Sequence, residues 1–244
     1  MLTEVVTAKS SKAAGFTLIE IAVVLVIVGL LVGSFIGSLA ERIDDTRRDN
    51  TKNELDEIKR VLIAYAFTRS PPHLPCPDTD ASPDGLENRV AGNCVATGYL
   101  PWRTLGMGYA DAWDNRYRYW VNTDYADDVG FLLSTNDANS GTVNTRIGAP
   151  KQEIINNAVA VVYSHGKNML GGYSVDDVDR AVIPAGGTHF DELENSDLDR
   201  HFISRTPREE GASAINGGIY DDITVWISSY ELKARMVEAG VLPP

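Results

Sequence analysis

The chain has 244 residues, enough for one folded domain and an accessory segment. Its 43% hydrophobic and 23% charged residues are typical of a folded protein. The formal net charge of −12 argues against a nucleic-acid-binding protein, because binding to phosphates requires a basic surface. We therefore expect no nucleic-acid partner, and an acidic domain that faces solvent or cationic partners.

An uncharged apolar segment near the N terminus, at residues 21–40, reads IAVVLVIVGLLVGSFIGSLA. A helix of this length extends about 30 Å, the thickness of a bilayer's hydrocarbon core. The alternative is a buried helix of a soluble domain, although such helices are seldom apolar on every face. The segment predicts a membrane span, and the four-residue spacing of Gly29, Gly33 and Gly37 predicts close packing between helices.

The residues before this segment do not form an ordinary signal peptide, which is cut after its apolar region. Here the small residues Ala13, Ala14 and Gly15 precede the apolar region. The sequence AAGFTLIEIAVVLVIVG resembles the leader of type IV prepilins and type II secretion pseudopilins. The resemblance implies a leader at residues 1–15, a prepilin peptidase that cuts between Gly15 and Phe16, and methylation of Phe16.

The resemblance also gives a role to Glu20, the acidic residue that the family uses in assembly. A carboxylate drawn to mid-bilayer costs about 2.5–3.5 kcal/mol, and pairing with the amino group of a neighbouring subunit's Phe16 would offset part of that cost. The alternative is a carboxylate that lies at the headgroup interface or favours a helix N terminus. We expect Glu20 to set the register between subunits.

Basic residues flank the apolar segment on both sides and do not settle its orientation. The resemblance implies a single-pass protein of the inner membrane with a cytoplasmic leader and an extracytoplasmic C-terminal domain. Incorporation into a pilus or pseudopilus follows, so the expected partners are the prepilin peptidase and other pilin or pseudopilin subunits.

The helix is predicted to continue beyond the membrane, because Leu55, Ile58, Leu62 and Tyr65 recur at steps of three and four residues. The prolines after Ser70 end it. The prediction is one helix from about Phe16 to Thr68. Its membrane or filament-core part covers residues 16–40, and its amphipathic continuation covers residues 41–69.

The remaining residues, 70–244, are predicted to form an extracytoplasmic globular domain. Its connector, residues 70–112, holds Cys76 and Cys94, which can pair outside the cytoplasm. Two free thiols are the alternative, and no further cysteine or histidine offers the spacing of a zinc site.

Short segments rich in Val, Tyr, Trp and Ile predict β-strands in this domain, at 117–122, 130–134, 158–163 and 223–228. The predicted fold class is α+β, with a long N-terminal helix packed against a small antiparallel sheet, as in type IV pilins. The stretch 111–119, DAWDNRYRY, is similar to a motif of major pseudopilins and departs from it at Ala112 and Asp114. We expect Trp113 and Trp226 to be core residues.

Major pseudopilins bind calcium in a C-terminal loop, which makes Asp176, Asp177 and Asp179 weak calcium candidates. No complete loop motif surrounds them, so a solvated acidic loop is the preferred interpretation and no cofactor is expected. The same interpretation applies to the acidic residues that follow, Asp191, Glu192, Glu194, Asp197 and Asp199.

A hydrolase is the catalytic alternative, based on Ser164 and His165. Adjacent residues of a strand point to opposite faces, and no G-x-S-x-G turn surrounds the serine, so we expect no enzyme. The sequence predicts a minor pilin or pseudopilin, a structural subunit of a type IV pilus or a type II secretion pseudopilus. The alternative is a membrane-tethered extracytoplasmic module that binds a ligand or a surface, as an adhesin does.

Overall fold

The computed structural model describes residues 15–146, 151–184, 188–208 and 217–243, without the side chains of 34–38. The predicted leader, apart from Gly15, lies outside the described residues. The chain divides into two compact units, Met1–Asp45 and Thr46–Pro244.

The first element is helix α1, Leu18–Phe67, which agrees closely with the predicted helix. It begins with a capping box, in which the backbone N–H and the hydroxyl of Thr17 both donate hydrogen bonds of 2.8 Å to the Glu20 carboxylate. A hydroxyl and a carboxylate at this spacing accept hydrogen bonds from backbone N–H groups that have no acceptor within the helix at its N terminus.

In the first unit, the large apolar side chains of α1 between Leu18 and Val32 are exposed to between 47% and 90% of their surface. Among the described residues, no helix combines the length and the apolar character that crossing a bilayer requires. The membrane span predicted from the sequence is therefore not confirmed. Apart from the backbone of α1 itself, none of the described groups lies within 4 Å of the positions that a Cβ would occupy at Gly29 and Gly33. The side-chain environment at Gly37 is not described, so the packing role of the three glycines stays a prediction.

In the second unit, α1 supplies one wall of the main hydrophobic core. The predicted apolar face is confirmed, because Leu55, Ile58 and Leu62 are fully buried and Tyr65 is 7% exposed. Residues of the sheet and of the last helix pack in the same cluster, notably Tyr117, Tyr119, Val121, Val159, Ile227 and Leu232.

A six-stranded sheet also contributes to this core. Its strands are β1 (Thr97–Tyr99), β2 (Arg118–Val121), β3 (Gly141–Asn144), β4 (Glu153–Ser164), β5 (His201–Ile203) and β6 (Ile223–Ser228). The order is β1-β2-β4-β3-β5, and β6 pairs with the second half of β4. The predicted antiparallel sheet is wrong in one pairing, because β3 and β5 run parallel. The long connection between them, which contains a helix, allows this crossover.

Three of the four predicted strands are confirmed as β2, β4 and β6. The strand predicted at 130–134 is wrong. Gly130 there adopts a φ of +73° and Phe131 donates a backbone hydrogen bond to Pro72, so this apolar segment anchors a turn. The sequence analysis missed three short strands and the helices α2 (Trp102–Leu105), α3 (Phe190–Ser196) and α4 (Ser229–Glu238).

The predicted disulfide is confirmed, since Cys76 and Cys94 are bonded with their Cα atoms 5.3 Å apart. Glu87 lies beside it and accepts hydrogen bonds from the Cys76 backbone and from the Tyr65 hydroxyl. This links the connector to the last turn of α1. Trp113 is buried as predicted, at 7% exposure, while Trp226 is half-buried and packs on a second, smaller cluster.

Candidate functional site

The predicted processing residues lie at the start of α1. Phe16 is 84% exposed, and among the described residues no group other than the chain neighbours of Gly15 lies within 4 Å of the point that a Cβ on this residue would occupy. Glu20 is held by Thr17 of the same chain, as described above. Cleavage, methylation and the role of Glu20 in assembly stay predictions, because they concern other molecules.

The weak calcium candidates do not assemble into a site. Asp176, Asp177 and Asp179 are all exposed. Asp177 accepts hydrogen bonds from Ser82 and Arg116, at 2.7 and 2.8 Å, and these two contacts lower the pKa of its carboxyl. A side chain engaged in this way ties the loop to the rest of the domain.

A different acidic cluster is buried in the second unit. Glu192 lies on α3, and Asp221 and Asp222 lie directly before β6. The three side chains are 1%, 3% and 3% exposed, and one carboxylate oxygen from each lies within 4.8 Å of the others. The expectation that Glu192 and its neighbour Asp191 are solvated is therefore wrong, because α3 turns both toward the interior.

Amide groups orient the cluster. Glu192 Oε1 accepts hydrogen bonds from the Asn168 side chain at 2.8 Å and from the Asp221 backbone at 3.0 Å. Asp221 Oδ2 accepts one from the Asn168 backbone at 2.7 Å. Asp222 Oδ2 accepts one from the Asn195 side chain at 2.8 Å. Within the described part of the chain, the Oδ1 atoms of Asp221 and Asp222 are buried without a hydrogen-bond partner.

Burial raises the pKa of all three carboxyl groups, that of Asp221 to about 7. Repulsion from Glu192 adds to this effect on the pKa of Asp221 and of Asp222, while Arg48 opposes it at Asp221. The nearest basic contact is His189, whose Nδ1 lies 2.6 Å from Glu192 Oε2. His189, with Arg205 acting on Glu192 and Arg48 acting on Asp221, offsets only part of the charge of three buried carboxylates, which favours the uptake of protons or a cation.

The ligand chemistry of this cluster is that of a hard divalent cation. Calcium and magnesium prefer oxygen ligands, and three convergent carboxylates with two unpartnered oxygens supply such a set. The cluster contains neither a cysteine nor a histidine, which the softer transition metals prefer.

A second acidic group, Asp78, Asp80 and Asp84, lies in the connector. Both oxygens of Asp78 are already occupied, since they accept hydrogen bonds from the backbone N–H groups of Asp80 and Gly85. The contacts of Asp78 are those of a residue that shapes a turn.

Ser164 and His165 do not form a nucleophile and base pair. The Ser164 hydroxyl donates a hydrogen bond of 2.6 Å to Asp111, while the His165 ring packs edge-on against Tyr163. Asp111 also accepts from the backbone of Trp113 and Asn115, closing a turn.

Sequence reasoning missed the buried cluster because its members are distant in the chain. Glu192 precedes Asp221 by 29 positions, and the two come together through the Asp221 backbone hydrogen bond. The available signal was the pair Asp221-Asp222 directly before an apolar strand, where a buried carboxylate is unexpected.

Comparison with known proteins identifies one match. Residues 10–36 match the family model described as the Prokaryotic N-terminal methylation motif, the prepilin-type leader of type IV pilins and pseudopilins. Neither the curated proteins nor the solved structures include a match to the chain.

Proposed function

Because the chain carries the prepilin-type N-terminal methylation motif at residues 10–36, we propose that it is a minor pilin or pseudopilin. In this proposal a prepilin peptidase cuts between Gly15 and Phe16, Phe16 becomes the methylated N terminus, and the subunit enters a type IV pilus or a type II secretion pseudopilus. The methylation motif is the single observation that carries the proposal.

The exposed apolar surface of the first unit supports membrane anchoring before assembly. Side chains such as Leu18, Leu25 and Leu30 are at least 65% exposed, which is costly in water. Bilayer lipid would cover them in the precursor, and the helices of neighbouring subunits would cover them in a filament.

Glu20 supports the proposed assembly step. Its carboxylate is oriented by Thr17 at the start of α1, next to the position where cleavage would create a new amino group. Exchange of the Thr17 contact for the Phe16 amino group of a neighbour would place an ion pair between subunits and fix their register.

We also propose a structural rather than a catalytic role for the domain, with a calcium site at Glu192, Asp221 and Asp222. The buried, partly unpartnered oxygens of this cluster support it. Calcium would join α3 to the segment before β6 and neutralise charges that otherwise repel each other.

Intact-mass analysis tests the processing step. We expect protein purified from native membranes to begin with N-methylated Phe16 when prepilin peptidase is present, and to keep its leader when the peptidase is absent. Gly15→Val should block cleavage, whereas Gly29→Val, an equal change inside α1, should leave it unaffected. Retention of Met1 in the presence of peptidase, or a cut after Ala40, would overturn the proposal.

Isothermal titration calorimetry tests the cation site, with calcium added to protein from which metal ions and chelator have been removed. We expect one site, lost in Asp222→Asn and kept in Asp179→Asn, which removes the same charge from an exposed position. Calcium binding that is lost in Asp179→Asn but kept in Asp222→Asn would place the site in the exposed loop. The absence of binding to the wild-type protein would remove the calcium proposal and leave the processing proposal intact.

A further inference from the structure

Strand β6 lies at an edge of the sheet. It pairs with β4 on one side, and within the described residues no other strand pairs with it. No other backbone–backbone hydrogen bond reaches residues 223–227 in this part of the chain. The outer edge of β6 therefore presents backbone N–H and C=O groups that no backbone group of the described residues uses.

A groove follows this edge. One cavity of about 250 Å³ is lined by Arg48 and Lys52 of α1, by residues 204–207, by the buried Asp222 and by the first two residues of β6. A second cavity of about 210 Å³ is lined by Asp56, Lys59 and residues 224–226. Both include Thr224, so they adjoin and form one groove between α1 and β6.

The α1 wall of the groove is basic, in contrast to the whole chain, whose net charge is −12. Arg48 and Lys52 have no salt bridge within 4.0 Å among the described residues. Lys59 pairs with Glu231 at 2.8 Å, and Asp56 is the one acidic side chain that α1 contributes to the lining. Two cationic side chains thus lie beside this strand edge without a close salt bridge among the described residues, and Arg48 interacts only at longer range with Asp221.

We propose that this groove binds an extended, acidic polypeptide segment, which adds to β6 as a further strand. Main-chain hydrogen bonds to the free edge would hold the segment, and Arg48 and Lys52 would select acidic side chains along it. This inference goes beyond the filament role and does not depend on leader processing. Basic residues beside a strand edge can also prevent other strands from pairing with it, and in that case the acidic peptide would not bind.

Fluorescence anisotropy with the full-length chain in detergent micelles tests the charge selection. The probe is a labelled seven-residue peptide that alternates threonine and glutamate, with both termini blocked. We expect at least tenfold weaker binding by the double variant Arg48→Glu/Lys52→Glu. Arg47→Glu/Arg60→Glu makes the same change of charge outside the lining of the groove and should bind like the wild type. Equal weakening by both double variants would show non-specific attraction and overturn the proposal.

A backbone-blocked peptide tests strand addition. N-methylation of every second residue removes the donors on one edge of the probe, so we expect at least tenfold weaker binding while the charge is unchanged. Hydrogen exchange at residues 223–227 should slow when the unmethylated peptide binds. Equal affinity of the methylated peptide, unchanged exchange at these residues, or no binding of the probe by the wild type would each refute strand addition.

Discussion

The side-chain amide of Asn195 donates a hydrogen bond of 2.8 Å to Asp222 Oδ2, while Asp222 Oδ1 has no partner among the described residues. Asn195 also bonds the backbone of Ile203 at the end of β5, so the amide fixes the carboxylate in a buried position. A buried carboxylate that is held in one orientation and keeps one oxygen without a hydrogen bond is suited to binding a ligand through that oxygen.

Asp222→Asn should stabilise the calcium-free protein and abolish the increase in stability that calcium gives the wild type. The amide keeps the shape of the side chain, is uncharged at every pH and can donate toward the remaining carboxylates. We expect a gain of about 1–3 kcal/mol in the free energy of unfolding without calcium. Wild-type protein at calcium concentrations 100-fold above Kd should gain about 2.7 kcal/mol, a rise in Tm of roughly 5–10 °C. A wild-type Tm that is equal in calcium and in chelator would contradict this prediction.

The stability of the calcium-free protein should fall as pH rises. Burial raises the pKa of Asp221 to about 7 from its ordinary 3.8, so the folded state holds this proton more tightly than the unfolded chain. The resulting contribution is complete below pH 3.8 and is lost as pH rises through 7. Denaturant unfolding of wild type and Asp221→Asn in chelator, at several pH values, should show the wild type losing stability relative to the variant across this interval.

His165 should give the stability of the protein the opposite pH dependence, a loss as pH falls. Burial, with a smaller contribution from Arg118, lowers its pKa to about 3 from 6.5, so the unfolded chain takes up the proton more readily. Its contribution to stability is present above pH 6.5 and is lost as pH falls toward 3. Between pH 6 and 4 the wild type should lose up to about 1.4 kcal/mol per pH unit relative to His165→Gln. The partly exposed His201→Gln is the control, and an equal pH dependence of the wild type and His165→Gln would contradict the assignment.

Loss of the Cys76–Cys94 disulfide should destabilise the domain. The bridge closes a loop with a sequence separation of 18 residues. In the chain-entropy model a loop of this size contributes about 3 kcal/mol. The double variant Cys76→Ala/Cys94→Ala and the reduced wild type should therefore unfold at similar, lower temperatures. As a control, the Tm of the double variant should be the same with and without reductant. If the reduced and the oxidised wild type have the same Tm, the disulfide does not contribute to stability.

Ile58→Ala should cost about 2–5 kcal/mol, as expected for a buried aliphatic residue whose removal leaves a cavity. Ile58 is fully buried in the main core, on the face of α1 that packs against the sheet. Asn53→Ala, at an exposed position of the same helix, should change stability by less than about 0.5 kcal/mol. Similar urea midpoints for the two variants would mean that α1 does not support the domain.

The elements that the sequence predicted are those with a strong local pattern. The spacing of Leu55, Ile58 and Leu62 specified the helix face, and the β-branched and aromatic residues of β2, β4 and β6 specified three strands. The leader motif was recognisable because its residues are contiguous.

The remaining features depend on contacts between distant residues. Strands β1, β3 and β5 have three or four residues each, too few for a periodic pattern. Their pairing partners are β2 for β1, β4 for β3 and β3 for β5. Phe131 belongs to an apolar segment, yet its backbone bonds Pro72 and forms a turn. The burial of Glu192 likewise follows from the position of α3 and not from any neighbour in the sequence.

The position of β4 in the sheet has a consequence for the order of folding. Val161 of β4 pairs with Trp226 of β6, and α3 and β5 lie between these two strands in the chain. Until β6 has been synthesised, this half of β4 has an unpaired edge and Ile227 is missing from the main core. Completion of the sheet therefore depends on a contact between distant residues, which forms late compared with helix α1.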